Sequence, residues 1–339
     1  MDKNENRIKV RDGANWNQHD DGFTQAFHEQ NLSQFWRAED ISLQGDLNSW
    51  ATLSDAQKTA YNKILAVLTF LDTYQGDVGM VVISKSMPDH HHQRKAVLNF
   101  MAMVENAIHA KSYSTIFTTF LTNDEITELF DWGKINPQLQ KTLDIIVGYY
   151  DGLANTPRDQ ADFSVAQWKA LVASVFLETW IFYTGFYYPL YFYGQGKLMQ
   201  AGEIINLIIR DEAVHGLYTG LLAQELFKEF DQETSDDCLK WLYEVMDDIT
   251  AEQIVLIDEI YSEVGLTQDV KTFFRYNGNK ALMNLGLDPR YPDTAEDVNP
   301  VIINGLNTET KTMDNFSMKG NGYQKPKAEA LSDDDYSDL

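Results

Sequence analysis

The most informative stretch of this sequence carries an acid and a histidine three residues apart. Glu212 and His215 lie in the apolar, helix-forming run Asn206 to Gly220, NLIIRDEAVHGLYTG. Residues three apart in a helix leave the same face, so the two side chains are expected to point together into the interior. Burying a carboxylate or an imidazole costs free energy unless it is paired, hydrogen-bonded or bound to a metal. The pair therefore directs attention to acids and histidines in other apolar helices.

Three further helix-forming segments carry such residues, and the full set is Asp72, then Glu105 with His109, then Glu178, then Glu212 with His215. Four carboxylates and two imidazoles on four helices form the ligand set of a dinuclear carboxylate site inside a helical bundle. Hard oxygen donors with few imidazoles suit manganese or iron, whereas the absence of thiolates argues against a structural zinc or an iron–sulfur cluster. The sequence predicts an all-α bundle around a buried dinuclear metal site.

The second segment departs from the spacing of the last one. Glu105 and His109 are four residues apart, and Asn106 occupies the position three residues before His109. A one-residue insertion in a helix can be absorbed as a π-helical turn, and such turns are frequent at functional sites. We therefore predict that Glu105 is the ligand. In a regular helix Asn106 would face the metals instead, and the site would be short of negative charge.

Each candidate also has an ordinary structural explanation. A single helical glutamate is most often at the surface, His215 could be a hydrogen-bonded core histidine, and Asp72 could cap a local turn. The joint occurrence of all six in apolar segments argues against separate accidents. The consecutive histidines His90 to His92 carry less information, because adjacent residues project in different directions. We interpret their segment, SKSMPDHHHQRK, as a solvated loop.

Composition and charge exclude several classes of function. The 339-residue chain has a formal net charge of −24, which argues against nucleic acid or an anionic membrane as the main partner, because binding to phosphates relies on lysine and arginine. Its single cysteine, Cys238, excludes an internal disulfide framework and fits a reducing compartment. The polar N-terminus lacks the apolar core of a secretion signal. We expect a cytoplasmic protein.

One run, Leu171 to Tyr193, is long and apolar enough to resemble a membrane span. Glu178 inside it and Pro189 near its end favour a buried helix, since intramembrane carboxylates are rare and fully buried helices are also hydrophobic all round. We expect no membrane partner. Pro189 and the glycines that follow are expected to break this helix within residues 187–196.

The remaining segments indicate one large helical domain between two polar ends. We predict a loosely structured N-terminal arm over residues 1–30, a helical domain over 31–320 and a disordered acidic tail over 321–339, where apolar residues become scarce. Ser54 or Asp55 is expected to cap the helix that carries Asp72.

Together these segments resemble the small, radical-generating subunit of class Ib ribonucleotide reductase, the NrdF type. The similar stretches, within roughly residues 23–325, are LDTYQG, ENAIHAKSYS, LETWIFYTGFYYPLYF, IIRDEAVHG and the distal NGLNTETK and SMKGNGY. The resemblance implies a ferritin-like bundle, a homodimer, a dinuclear manganese or iron centre of about two ions per chain, and a stable tyrosyl radical. It also implies a large catalytic subunit (NrdE type) that reduces ribonucleoside diphosphates, and a flavodoxin-like activator (NrdI type) that delivers the oxidant to manganese.

The resemblance assigns the radical to Tyr113, one helical turn after His109. The ordinary alternative is a buried structural tyrosine. An apolar pocket that keeps water and reductants from the radical is matched by Phe182, Phe186 and Ile208.

A radical relay is also implied by the resemblance. Asp211 and Trp36 match a path that links the His109-bound metal to the subunit surface, and Tyr336 matches a tail tyrosine that passes the radical equivalent to the large subunit. A carboxylate that orients a metal-bound histidine is common, whereas Trp36 could be a simple packing residue. Lone Cys238 fits this division of labour, because one thiol cannot supply both a substrate radical and a reducing dithiol.

Two other functions stay open at this point. One is a ferritin-like oxidase or oxygenase with its own small substrate, which has no use for an acidic tail containing a tyrosine. The other is metal binding or storage without radical transfer, for which Tyr113 would be dispensable.

Overall fold

The protein is described by a computed structural model over residues 13–303, and within this range it consists of helices, turns and loops without a strand. The thirteen α-helices are α1 (Thr24–Ser33), α2 (Leu47–Ala51), α3 (Asp55–Tyr74), α4 (Met80–Ser86), α5 (His92–Val104), α6 (Ala110–Phe120), α7 (Asn123–Ile135), α8 (Pro137–Asn155), α9 (Phe163–Phe176), α10 (Phe182–Tyr193), α11 (Met199–Phe227), α12 (Gln232–Tyr261) and α13 (Thr267–Asn284). Short 3₁₀ helices cover Ala38–Asp40 and Leu43–Asp46. The predicted all-α fold is confirmed.

Three π-helical turns join pairs of these helices into longer rods. Gln75–Gly79 connects α3 to α4, Glu105–His109 connects α5 to α6, and Leu177–Ile181 connects α9 to α10. With α11, the rods form the centre of the bundle, where α11 packs on α9 and α10 and α4 packs on α5. The four segments predicted to carry ligands are therefore neighbours in space.

The start of α3 has the expected cap. The Ser54 hydroxyl accepts a hydrogen bond from the Gln57 backbone N–H at 3.3 Å, and the Gln57 side chain accepts one from the Ser54 N–H at 3.0 Å. This reciprocal arrangement satisfies two backbone donors that the first helical turn leaves free. It defines where α3 begins.

The apolar run that resembles a membrane span lies in the core. Phe163–Tyr193 is long and apolar enough to cross a membrane by length and composition, but its most apolar window is 100% buried. Pro189 lies inside α10 and does not end it, while Gly194 follows the last helical residue. Every side chain from Phe182 to Leu190 is buried, and burial of each large apolar side chain contributes about 1.5–3 kcal/mol. Together they outweigh the roughly 3 kcal/mol cost of an interior proline.

Part of the expected N-terminal arm is helical. Helix α1 begins at Thr24, whose buried hydroxyl lies 3.1 Å from that of Tyr218 in α11. Just before it, Asp21 pairs at 2.7 Å with Arg94, whose guanidinium also pairs with Glu225 at 2.6 Å. These contacts attach residues 21–33 to α5 and α11, so α1 runs across the boundary drawn at residue 30. Residues 1–12 and the predicted tail with Tyr336 lie outside the described residues.

Candidate metal centre

The six predicted ligands meet in the middle of the bundle, and all of their side chains are fully buried. They form two groups of four whose ligand atoms lie within 4.8 Å of one another, namely Asp72, Glu105, His109 and Glu212, and Glu105, Glu178, Glu212 and His215. Glu105 and Glu212 belong to both groups. Two carboxylates common to both groups, with an acid and a histidine that belong to each group alone, suit a pair of neighbouring ions.

The distances around the two histidines also fit bound cations. His109 Nδ1 lies 3.2 Å from Glu105 Oε2 and 3.0 Å from Glu212 Oε1, and His215 Nδ1 lies 2.8 Å from Glu105 Oε1 and 3.3 Å from Glu212 Oε2. Neighbouring ligands of an octahedral ion with bonds of about 2.1 Å are about 3 Å apart. A single Nδ1–H cannot donate well to both carboxylates, whereas one cation can bind all three atoms.

Several buried oxygens here have no hydrogen-bond partner among residues 13–303. They are both oxygens of Asp72, both of Glu212, and Oε2 of Glu178. A buried carboxylate oxygen without a partner is rare and costly. Divalent cations would satisfy these oxygens, and a set of carboxylates with two imidazoles suits manganese or iron. The donor set therefore fits the expected dinuclear centre.

Charge and burial shift the protonation of these groups strongly. Burial, reinforced by the nearby Glu105 carboxylate, raises the pKa of Asp72 and of Glu212 well above the usual range. Burial opposes ionisation of Glu105 as well, but the adjacent His109 and His215 lower its pKa to about 2. Burial alone would lower the pKa of the two imidazoles, but the surrounding carboxylates raise both well above normal. Without metal, protons offset part of the clustered negative charge.

The π-helical turn expected between Glu105 and His109 is present. Asn106 points away from the cluster, and its amide donates a hydrogen bond to Asp77 Oδ1 at 2.7 Å on the exposed side. In α11, by contrast, Glu212 and His215 reach the cluster at the three-residue spacing of a regular helix. The π-helical turn accommodates the additional residue between Glu105 and His109, and both side chains belong to the cluster.

Two more π-helical turns border the cluster, and the sequence did not predict them. Gln75–Gly79 begins three residues after Asp72, and Leu177–Ile181 contains Glu178. Gly76 lets the first of these turns lie against the Glu105–His109 turn, because a Cβ at Gly76 would lie 2.7 Å from the Asn106 amide and 2.9 Å from Glu105 Cβ. Three of the four ligand-bearing rods thus carry a π-helical turn at the centre.

Tyr113 lies beside the first group of ligands. Its side chain is fully buried, and its hydroxyl has no hydrogen bond of normal geometry to another described residue. Burial, followed by the charge of the nearby Asp72, raises its pKa well above the usual value, so the phenol is neutral. The predicted pocket residues are also fully buried in the core, namely Phe182, Phe186 and Ile208.

A hydrogen-bonded path leads from the first group toward the surface. Trp36 Nε1 donates to Asp211 Oδ2 at 2.7 Å, and the same oxygen lies 3.2 Å from His109 Nε2. The indole ring stacks on the His109 imidazole with centroids 6.4 Å apart. Gln34 Nε2 donates to the other Asp211 oxygen at 2.8 Å. Trp36 and Asp211 are therefore contiguous with the cluster.

Sequence reasoning missed four polar residues around the centre: Gln34, Gln75, Tyr150 and Ser174. Gln75 had a signal, because it lies three residues after Asp72 on the same helix face. Ser174 had a comparable signal, because it lies four residues before Glu178. Gln34 and Tyr150 gave none, since their partners are distant in the sequence. The consecutive histidines His90 to His92 form no cluster of metal-ligating groups, as the described range contains only the two groups given above.

Comparisons with known proteins agree with this architecture. The family model described as ribonucleotide reductase, small chain, matches residues 13–300. The ribonucleoside-diphosphate reductase subunit beta of Bacillus subtilis (strain 168) is 52% identical over 328 residues, which is 97% of each chain. The ribonucleoside-diphosphate reductase 2 subunit beta of Escherichia coli (strain K12) is 33% identical over 324 residues, covering 95% of this chain and 97% of that one.

A solved structure shares the fold at similar coverage. The crystal structure of dimanganese(II)-NrdF from Streptococcus sanguinis is 40% identical, with a TM-score of 0.81, and covers 88% of this chain and 100% of its own. The helical bundle is therefore ferritin-like, as the resemblance implied. The chain belongs to the small-chain family of ribonucleotide reductase, as a radical-generating beta subunit of the class Ib, NrdF type.

Proposed function

We propose that the six converging side chains hold a dinuclear manganese or iron centre, and that Tyr113 beside it stores the radical used to reduce ribonucleoside diphosphates. The observation that carries the proposal is the set of buried, unpartnered oxygens of Asp72 and Glu212 next to an equally buried phenol. Asp72 and His109 would hold one ion and Glu178 and His215 the other, and Glu105 and Glu212, which belong to both groups, would complete the ligand set. Glu105, and not Asn106, would be the ligand from its π-helical turn.

Manganese or iron held by these six side chains and oxidised by an external oxidant would supply a one-electron oxidant inside the bundle, which the side chains by themselves do not provide. By resemblance, a flavodoxin-like activator (NrdI type) provides that oxidant when the metal is manganese.

Tyr113 supplies the electron that is removed. Its neutral phenol loses one electron and the hydroxyl proton, and the Asp72 carboxylate is the nearby base placed to take that proton. The product is a neutral tyrosyl radical. The buried side chains of Phe182, Phe186 and Ile208 belong to an apolar core that keeps water and reductants away from it.

Transfer to the partner runs through the hydrogen-bonded path. As a small subunit, the chain has a large-subunit partner, which we assign to the NrdE type. An electron that travels inward along Trp36 and Asp211 reduces the Tyr113 radical, while the proton held at Asp72 returns to the phenol oxygen. An oxidising equivalent is then left at the surface. Tyr336, which lies outside the described residues, would pass it to the large subunit. A homodimeric assembly and a cytoplasmic location are part of the same proposal.

Metal content is the first test. The purified chain is loaded with Mn(II) or Fe(II) under anaerobic conditions and desalted, and the metals are counted by element. We expect about two ions per chain, and a tyrosyl signal in electron paramagnetic resonance after oxidation. Retention near zero would overturn the proposal. Deleting residues 321–339 should leave both metals and radical in place and abolish reduction by the large subunit.

A further inference from the structure

One ligand of the proposed centre is held by the protein in a way that the other carboxylates are not. Gln75 Nε2 donates a hydrogen bond to Glu178 Oε1 at 2.6 Å, and both side chains are fully buried. The second oxygen, Glu178 Oε2, has no hydrogen-bond partner in the described chain and lies 3.7 Å from His215 Nδ1. The Glu178 carboxylate is thus hydrogen-bonded through Oε1, whereas Oε2, which faces the ligand cluster, has no such bond.

The orientation of the Gln75 amide is itself determined by its neighbours. The Tyr150 hydroxyl donates to Gln75 Oε1 at 2.5 Å, and the Gln75 NH₂ group also donates to Ser174 Oγ at 2.9 Å. A flipped amide would direct its oxygen at the Glu178 carboxylate, which cannot donate, and that contact would be lost. The hydroxyls of Tyr150 and Ser174 can donate or accept, so it is the Glu178 carboxylate that selects the observed orientation.

The backbone is shaped to allow this contact. Gln75 is the first residue of the π-helical turn Gln75–Gly79, and Gly79 is the last. A Cβ at Gly79 would lie 2.6 Å from the Tyr150 ring and 2.7 Å from Gln75 Oε1. Any larger residue would therefore push the phenol and the amide apart. The turn that follows Asp72 thus places Gln75 against a ligand from another rod.

We propose that Gln75, supported by Tyr150, is a positioning residue of the metal centre, which binds Glu178 Oε1 and leaves Oε2 for the ion on the His215 side. This inference rests on the proposed function, because it assumes that Glu178 is a ligand. Asp72 and Glu212 have no protein hydrogen bond of this kind among residues 13–303. Gln75 therefore affects the ion near Glu178 and His215 more than the ion near Asp72 and His109.

The test replaces Gln75 by a side chain of similar volume that has no hydrogen-bond donor. Gln75→Met should lower the affinity for one of the two Mn(II) ions by about 10- to 100-fold, the usual effect of losing a residue that orients a ligand. It should also change the electron paramagnetic resonance spectrum of the coupled Mn(II) pair. Gln75→Glu, which still accepts from Tyr150 but presents a carboxylate to Glu178, should show the same two changes. Tyr150→Phe should give a smaller loss.

A matched control separates positioning from folding. Gln253 is equally buried but donates to Thr142 in another part of the bundle. Gln253→Met should keep both Mn(II) affinities and the spectrum, and its melting temperature should report the cost of losing a buried amide. Wild-type affinity and spectrum in Gln75→Met, or in Gln75→Glu should the first variant fail to fold, would overturn the inference. Failure of the wild-type chain to bind metal would instead overturn the proposed function.

Discussion

The two halves of the centre hold their ligands differently. On one side, Asp72 has no hydrogen-bond partner in the described range and lies beside Tyr113, while His109 is linked through Asp211 to Trp36. On the other side, Glu178 is bound by the neutral Gln75 amide. The groups that can exchange protons or electrons with the surroundings are thus concentrated in the first half. The second half is held by groups that only orient.

The buried tyrosines Tyr113 and Tyr150 differ in the same way, in the group that each hydroxyl faces. Tyr113 faces a carboxylate, whereas the Tyr150 hydroxyl donates to an amide oxygen, which is a very weak base. Burial raises the pKa of both phenols well above normal, so the loss of an electron must be accompanied by loss of the proton. Of these two phenols, Tyr113 is the one whose hydroxyl faces a carboxylate rather than an amide. Under the proposed function, this neighbouring acceptor, and not burial alone, would make Tyr113 the radical site.

The largest expected effect is on the radical itself. Tyr113→Phe should abolish the tyrosyl signal completely while the metal content stays at about two ions per chain, because the ligands are untouched. Tyr150→Phe, measured at saturating metal, should keep the signal. Electron paramagnetic resonance and metal analysis on the same samples check both. A tyrosyl signal that persists in Tyr113→Phe would refute the assignment.

The second largest effect is expected from removing Glu105, a carboxylate that belongs to both ligand groups. Glu105→Gln should weaken retention of both ions by more than about 100-fold, since residues that merely orient ligands cost about 10- to 100-fold. Asn106→Ala is the matched control on the same π-helical turn and should retain both ions. Elemental analysis after desalting distinguishes the variants. Loss of metal in Asn106→Ala with retention in Glu105→Gln would mean that the helix presents the wrong residue to the metals.

Interrupting the path should separate radical formation from its use. Trp36→Phe removes the indole N–H that donates to Asp211, so reduction with the large subunit should fall by at least about 10- to 100-fold while the radical yield stays unchanged. Trp50→Phe is the control, because Trp50 is buried against Phe120 away from the cluster. Turnover assays and radical quantification are both needed. Undiminished turnover in Trp36→Phe would exclude Trp36 from the path.

The last expected effect needs no substitution and concerns the pH dependence of metal affinity. The raised pKa values of Asp72, Glu212 and both histidines mean that the metal-free cluster holds protons near neutral pH. Metal binding must release them, so affinity should increase with pH, by about tenfold per pH unit for each proton released. Calorimetry of Mn(II) binding in buffers of different ionisation enthalpy counts the protons. A pH-independent affinity between about pH 6 and 8 would contradict the shifts.

The local residue pattern was sufficient to predict most of the helices and the ligands of the candidate metal centre. The apolar runs form helices at the expected places because their periodicity matches one buried face. The four-residue spacing from Glu105 to His109, compared with the three-residue spacing from Glu212 to His215, indicated a one-residue insertion, which a helix can absorb as a π-helical turn. Ser54, one of the two residues predicted to cap α3, forms the cap.

The sequence alone therefore determined the helices, the types of ligand and the irregular spacing, because these depend on residues within a few positions of one another. Only the tertiary structure decided that Gln75 binds Glu178, 103 residues away, and that Gln34 binds Asp211, 177 residues away. It also decided that Pro189 stays within a helix and that two further π-helical turns form. These features depend on packing between rods. The free energy of that packing outweighs local conformational preference, and it cannot be inferred from residues adjacent in the sequence.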